Sequence, residues 1–333
     1  MSSLQAQRGA AGALLPTAPA ALPTHLADAI VDTASMRRFL HGLPGVDPVG
    51  VEQRSAALAT RSIKKASKLQ AIDLAISMVD LTTLEGSDTA GKVRSLAAKA
   101  RRPDPDHPDT PPVAAVCVYP DMAGVAAAEL RGSTVAIAAV ATAFPTGRAS
   151  LAVKLADTRY ALDEGATEID MVIDRGAMLT GNYGKVFDEI VAVKEVCGAV
   201  PVKVILEAGE LGTYDNVRRA SWLALLAGGD FIKTSTGKIN PAATLPVIHV
   251  MLQAVRDFHA ETGEYRSVKA AGGIRNTKDA IRYLVAVHEV AGPEWLSPSM
   301  FRFGASSLLN DLLMQRRAQL EGHYSGPNYV TVD

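Results

Sequence analysis

Residues 167–174, Thr-Glu-Ile-Asp-Met-Val-Ile-Asp, decide the fold, because apolar and acidic residues alternate in this short run. Successive side chains of a β-strand point to opposite faces. One face carries the three apolar residues Ile169, Met171 and Ile173, which suit packing against helices. The opposite face carries the remaining residues, Glu168, Asp170, Val172 and Asp174. The stretch therefore predicts a strand whose inner face is unusually acidic.

Seven further apolar runs of similar length occur in the chain, at residues 75–80, 114–119, 135–141, 202–207, 231–235, 268–271 and 301–304. Their lengths are typical of buried strands. Longer amphipathic stretches lie between them, and helical spacing is found at residues 150–164, 183–197, 215–227, 243–261, 277–290 and 306–320. Eight alternating units over about 250 residues predict a (β/α)8 TIM barrel. A doubly wound sheet is the alternative, but the sequence contains no G-x-G-x-x-G fingerprint.

The chain is predicted to have three parts. Residues 1–68 form an N-terminal extension, residues 69–322 the barrel and residues 323–333 a C-terminal tail. The extension starts as an Ala/Pro-rich arm that we expect to be disordered, with one helix around residues 26–40. The basic residues of 51–68 predict a solvent-exposed helix on the barrel surface.

Composition excludes several functional classes. Lys and Arg number 34 against 35 Asp and Glu, so the net charge of −1 does not favour nucleic acid or an anionic membrane. No apolar run approaches the ~20 residues of a membrane span. The two cysteines cannot form a disulfide framework, which favours a cytoplasmic protein. The seven histidines are scattered, so we expect neither a metal site nor a cofactor.

Charged residues are expected inside the barrel on several strands. The same alternation places Lys203, Lys233 and Lys269 inward, and puts Asp80 and Thr82 on one face. Buried charges are costly unless they are paired, and stability alone is a weak reason to keep them. Two adjacent buried lysines disfavour each other's charge, and a neutral amine can attack a carbonyl to form a Schiff base. We therefore predict amine chemistry, with carboxylates that assist proton transfer.

Three glycine-containing segments follow late strands and predict a phosphate pocket. They include Gly237 and Lys238, Gly272 and Gly273, and Ser306 and Ser307, which precede a helix. Glycine backbones and helix N-termini bind phosphate through N–H groups, and this edge is the usual phosphate site of such barrels. Residues 236–238 do not form a nucleotide-binding P-loop, because Ile232 occupies the position of its first glycine.

Seven motifs over roughly residues 70–320 resemble the deoxyribose-phosphate aldolase family. They are Asp80-Leu-Thr-Thr-Leu84, Val116-Cys-Val-Tyr-Pro120, Gly165-Ala-Thr-Glu-Ile-Asp170, Gly209-Glu-Leu-Gly212, Asp230-Phe-Ile-Lys-Thr-Ser-Thr-Gly-Lys238, Lys269-Ala-Ala-Gly-Gly-Ile-Arg275 and Phe303-Gly-Ala-Ser306. The resemblance implies a class I aldolase that reversibly cleaves 2-deoxy-D-ribose 5-phosphate into D-glyceraldehyde 3-phosphate and acetaldehyde. It also implies a role in deoxyribonucleoside catabolism, with family members that are often homodimers.

The resemblance also implies a role for individual residues. Lys233 matches the Schiff-base lysine, Lys269 the second lysine and Asp170 the acid/base aspartate, while Asp80 supports their network. Ala270 stands where the family usually has proline, and Tyr324 or Tyr329 is a candidate for a C-terminal tyrosine near the site. Two alternatives stay open at this point. One is another Schiff-base phosphosugar aldolase, and the other is a phosphate-binding barrel without catalysis.

Overall fold

The computed structural model describes residues 22–61, 63 and 66–322. Its eight parallel strands are β1 Val79–Thr82, β2 Ala115–Val118, β3 Ala136–Ala141, β4 Glu168–Val172, β5 Val202–Ile205, β6 Phe231–Lys233, β7 Ser267–Ala271 and β8 Phe301–Ala305. They form a closed barrel in chain order, in which β8 pairs with β1. The predicted (β/α)8 barrel is confirmed.

Helices surround the barrel and precede its first strand. They are α1 Thr24–Ala29, α2 Thr33–Gly42, α3 Pro48–Ala59, α4 Ala66–Ser77, α5 Ala90–Arg101, α6 Pro120–Glu129, α7 Leu151–Asp163, α8 Arg175–Leu179, α9 Tyr183–Cys197, α10 Tyr214–Leu226, α11 Leu245–Thr262, α12 Thr277–Val290 and α13 Leu308–Glu321. Many starts are fixed by polar caps: Ser150, Thr213 and Thr244 each accept a hydrogen bond from a first-turn N–H. Such caps satisfy donors that the helix itself leaves unpaired.

The barrel has two distinct interiors. Outward residues such as Ile169 and Met171 join the main core between strands and helices. The lumen instead contains a small apolar cluster of Leu84, Cys117, Ala138 and Val140 beside buried charged residues. A TIM-barrel lumen is normally filled by Val, Ile and Leu, so the charged half of this lumen requires an electrostatic explanation.

The N-terminal helices pack on the outside of the barrel. The Phe39 ring contacts Trp222 edge-on at 5.5 Å between centroids, and Trp222 in turn contacts Phe258 at 5.9 Å. Polar contacts reinforce this docking, since His41 Nε2 lies 3.0 Å from the Tyr183 hydroxyl. Apolar residues of α1–α3, including Leu40 and Val51, belong to the main core. The described part of the N-terminal extension therefore shares its core with the barrel.

Three predicted elements were wrong in detail. The helix expected at 26–40 is two helices, because the first ends at Ala29 and the extended residue Asp32 caps the start of the second. The basic helix of 51–68 is interrupted after Ala59, and its Val51 is fully buried rather than solvent-exposed. The strand expected at 75–80 begins only at Val79, because residues 75–77 continue the buried face of α4. Short apolar runs fit both helix and strand, which explains this last error.

The division of the chain at residues 68 and 322 stays a prediction. The arm of residues 1–21 and the tail of residues 323–333, with Tyr324 and Tyr329, lie outside the described residues.

Replacement of Phe258 by alanine tests the packing between α10 and α11. The Phe258 ring is buried and contacts both Trp222 and the Arg266 guanidinium. Because the change leaves a cavity, we expect a loss of about 3–5 kcal/mol of unfolding free energy. The measurement is thermal and urea unfolding followed by circular dichroism. Tyr160→Ala, at an exposed site, is the control and should change stability by less than about 0.5 kcal/mol. Equal losses in both variants would contradict the packing argument.

Candidate active site

Strand register brings the lumen charges together. Asp170 on β4 is level with Lys203 on β5, Lys233 on β6 is level with Lys269 on β7, and Lys269 is level with Arg302 on β8. Asp80 on β1 is level with Gly304, two residues beyond Arg302. Because these residues point inward at similar heights on their strands, their side chains meet inside the barrel.

Within the described residues, five of these side chains and that of Glu168 on β4 form a closed ring of alternating charge. Taken in order around the ring, its members are Arg302, Asp80, Lys269, Asp170, Lys203 and Glu168. The nitrogen–oxygen distances around the ring are 2.7 Å for Arg302–Asp80, 2.6 Å for Asp80–Lys269, 2.8 Å for Lys269–Asp170, 2.8 Å for Asp170–Lys203, 2.6 Å for Lys203–Glu168 and 3.1 Å for Glu168–Arg302. Three cations thus alternate with three anions, so this charge ring is neutral when all of its members are ionised.

Lys233 lies outside the charge ring. Its amine contacts Asp170 Oδ2 at 2.7 Å, the oxygen that also accepts from Lys269. Asp170 is therefore shared, whereas each of the other two lumen lysines contacts two carboxylates of the ring. When Lys233 is protonated, it adds one positive charge that no further carboxylate of the ring balances.

The electrostatics separate Lys233 from the other lysines. Burial lowers the pKa of Lys233, the shared Asp170 opposes this shift, and the neighbouring Lys269 charge adds to it. Burial also disfavours the charge of Lys269, but Asp170 and Asp80 hold its pKa well above the ordinary value. Asp170 and Glu168 likewise raise the pKa of Lys203 against its burial. Lys233 is thus the amine most readily found neutral.

The carboxyl groups of Asp170 and Asp80 are held ionised. Burial would raise the pKa of Asp170, but Lys203, Lys233 and Lys269 bring it well below its usual range. Burial would also raise the pKa of Asp80, but Lys269 and then Arg302 lower it. An ionised Asp170 beside a neutral Lys233 can accept a proton, and the charged Lys269 can donate one.

The predicted site residues are largely brought together, with one exception and one omission. Asp174 was expected in the lumen, but it lies beyond the end of β4, where it caps α8 and contacts Lys185. Alternation beyond a strand's last residue has no structural basis, which explains this error. Arg302 was missed, although alternation between Phe301 and Phe303 would have placed it inward. Thr82 lies at the mouth of the lumen, where its hydroxyl donates to the Asp80 carbonyl oxygen.

A cavity of about 400 Å³ opens above Lys233 at the carboxyl ends of the strands. The residues predicted to bind phosphate line it: Gly237, Lys238, Gly272, Gly273, Ser306 and Ser307. Lys92 and Arg275 add further positive charge. Ser306 and Ser307 directly precede α13, so the N-terminus of that helix lies at the cavity. Cationic side chains, glycine backbone and a helix N-terminus together favour an anionic ligand.

Two acidic residues shape the cavity. Glu85 contacts Lys238 across the mouth at 2.9 Å between Oε1 and Nζ. Glu207, fully buried with a left-handed φ of 54°, accepts hydrogen bonds from the N–H and hydroxyl of Thr236. Glu207 therefore holds the loop that carries Gly237. Burial raises the pKa of this carboxyl group despite the Thr236 hydrogen bonds.

Across residues 22–61, 63 and 66–322, no group of three or more His, Cys, Asp or Glu side chains is arranged to hold a metal ion. In the same part of the chain, no helix combines the length and apolar character needed to cross a bilayer.

Comparison with known proteins points to one family. The sequence model of the DeoC/LacD family of aldolases matches residues 74–314. The deoxyribose-phosphate aldolase of Homo sapiens is 42% identical to this chain, and the match covers 84% of this chain and 91% of the human protein. The deoxyribose-phosphate aldolase of Mus musculus is 43% identical, and the match covers 80% of this chain and 87% of the mouse protein. Among solved structures, the tetrameric deoxyribose phosphate aldolase of Aeropyrum pernix matches with a TM-score of 0.57 at 26% identity. This match covers 76% of this chain and 99% of that one.

Replacement of Gly272 by alanine tests the anion site. Gly272 has a φ of +80°, and an added Cβ would lie 2.7 Å from the Ala242 Cβ. Because the loop must shift, we expect at least a tenfold loss of affinity for inorganic phosphate, measured by calorimetry. Gly132→Ala is the matched control, since Gly132 has a φ of +76° but open space around it. It should bear similar backbone strain and bind phosphate normally. Unchanged binding in the Gly272 variant would be evidence against this site.

Proposed function

The chain belongs to the DeoC/LacD family of aldolases, and we propose from this premise that it reversibly cleaves 2-deoxy-D-ribose 5-phosphate. The products would be D-glyceraldehyde 3-phosphate and acetaldehyde, and the reaction would pass through a Schiff base on Lys233. The observation that carries this proposal is the position of the Lys233 amine. It is buried in a cavity lined by glycine backbone and cationic side chains, and its pKa is lowered while those of the neighbouring lysines are raised.

The proposed reaction starts with covalent attachment. The neutral Lys233 amine adds to C1 of the open-chain sugar, and loss of water gives an iminium. Asp170, directly or through a water, accepts the proton of the 3-hydroxyl. The C2–C3 bond then breaks, and its electron pair moves into the iminium to form an enamine. Glyceraldehyde 3-phosphate leaves as the first product.

The second half of the reaction releases acetaldehyde. The enamine takes a proton at C2, which regenerates the iminium, and water then hydrolyses this bond. Lys269 is suited to supply or relay protons, because its amine lies 2.8 Å from the same Asp170 oxygen that contacts Lys233. Asp80 and Lys203 keep this pair in place through the charge ring.

The cavity supports a phosphorylated substrate. The loops after β6, β7 and β8 contribute glycine backbone and Lys238 to the lining of the cavity, which Lys233 also lines. A phosphate held there would leave the sugar carbons between the cavity mouth and Lys233. This arrangement supports binding of the substrate in one orientation, with C1 toward the amine.

The cellular setting is part of the proposal. The buried thiols Cys117 and Cys197 are both free, which is consistent with the reducing cytoplasm. The reaction would serve the breakdown of deoxyribonucleosides, whose sugar is its substrate. A homodimer is the proposed assembly, and size-exclusion chromatography with light scattering measures it. Neither nucleic acid nor membrane is proposed as a partner.

Replacement of Lys233 by alanine tests the nucleophile. We expect no measurable cleavage of deoxyribose 5-phosphate, whereas Lys269→Leu or Asp170→Leu should reduce kcat/KM by about 10²–10⁴-fold. Borohydride reduction in the presence of acetaldehyde should attach an ethyl group to Lys233, detected by peptide mass mapping. Full activity in Lys233→Ala would refute the assignment. Dihydroxyacetone and pyruvate, offered as alternative donors, distinguish this reaction from other Schiff-base aldolases.

Replacement of Glu85 by glutamine tests the phosphate end of the cavity. Glu85 competes with the substrate for Lys238, so its loss should lower KM for deoxyribose 5-phosphate by up to about fivefold. KM for unphosphorylated 2-deoxyribose should not change. Glu195→Gln, on the exposed face of α9, is the control for loss of a surface charge. An equal change for both sugars would show that Glu85 does not act on the phosphate.

A further inference from the structure

Arg302 is the member of the charge ring farthest from Lys233 along the chain of contacts, and Glu168 is its neighbour on one side. Both side chains are buried, and neither lines the cavity. Arg302 contacts Asp80 and Glu168, and Glu168 contacts Arg302 and Lys203. Neither contacts Lys233. Their position therefore excludes direct contact with the substrate and calls for another reason for two buried charges.

Removal of either residue would change the net charge of the ring. Without Glu168 the ring would carry one excess positive charge, and without Arg302 one excess negative charge. A buried amine responds to such a charge, since charges interact over several ångströms inside a protein far more strongly than in water. The members that contact Lys233 or its partner Asp170 would remain in both cases.

We infer that Arg302 and Glu168 are positioning residues that set the protonation of Lys233 by keeping the charge ring neutral. With the ring balanced, the Lys233 proton is the surplus charge of the lumen and is the one lost. This inference rests on the proposed function, because it concerns the amine assigned there as the nucleophile. It assigns a role to two residues that touch neither substrate nor nucleophile.

The inference predicts shifts of opposite sign. Glu168→Gln makes the ring positive, so Lys233 becomes neutral at lower pH, and the acid limb of the pH profile should move down by about one unit. Arg302→Gln makes the ring negative, and the limb should move up by about one unit. At a fixed pH on the limb, each shift is about a tenfold change in the rate of Lys233 modification. The double variant Glu168→Gln/Arg302→Gln is neutral again, and its limb should return toward that of the unmodified protein.

The readout is the rate at which acetaldehyde and cyanoborohydride modify Lys233, followed by peptide mass mapping across pH, together with kcat/KM for deoxyribose 5-phosphate. Glu189→Gln is the matched control, because it removes a buried carboxylate that pairs with Lys154 between α7 and α9. Its limb should not move, and it corrects for the pH dependence of the reductant. Circular dichroism checks the folding of every variant.

Two opposite shifts with recovery in the double variant would support the inference. Unmoved limbs, or two shifts of the same sign, would overturn it and leave Lys269 and burial as the cause of the neutral amine. If Arg302→Gln does not fold, the shift of Glu168→Gln and its reversal in the charge-balanced double variant decide the question. Failure of the unmodified protein to modify Lys233 at all would instead count against the proposed function.

Discussion

The low dielectric of the barrel lumen is the constraint on which the rest of this structure depends. An ion inside such a lumen must be paired, and the six charges of the ring are paired on both sides. A protonated Lys233 is a seventh charge, and it must share the Asp170 Oδ2 oxygen with Lys269. The pKa of Lys233 is accordingly lowered, by its burial and by the Lys269 charge, whereas the same amine in water would hold its proton at neutral pH.

The contacts within the ring offset the free-energy cost of burying six charges. Each carboxylate oxygen of the ring lies within 3.1 Å of a cation, and only Asp80 Oδ2 and Glu168 Oε2 make this contact without a hydrogen bond. The opposite side of the lumen is apolar, with Cys117, Ala138 and Val140 in contact. Water exclusion on that side strengthens the interactions on the charged side. The two halves of the lumen therefore act together on the same amine.

Much of this arrangement could be predicted from sequence, for a physical reason. Alternation along β4, β6 and β7 is a local property, and it placed Asp170, Lys233 and Lys269 inward. The barrel itself followed from the repetition of short buried runs and amphipathic helices. Alternation failed where the strand ended, as Asp174 shows, and where an apolar run continued a helix, as at residues 75–77.

Other features depend on contacts that no local pattern carries. The closure of the charge ring through Arg302 joins β8 to β1, which are neighbours in the barrel but are the last and the first of its strands in the sequence. The ion pair between Glu85 and Lys238 and the hydrogen bond that Thr236 donates to Glu207 also connect separate loops. Their residue types were visible in the sequence, but their partners were determined by the register of the strands.

Closure of the barrel has a consequence for how reactivity arises during folding. The ring draws its members from β1, β4, β5, β7 and β8, so it is complete only after the first and last strands have met. A partly assembled chain can contain every one of these strands and still leave Asp80 and Arg302 apart. The lowered pKa of Lys233, which needs burial in the lumen and Lys269 beside it, is therefore a property of the finished barrel and is absent from a nascent or opened chain.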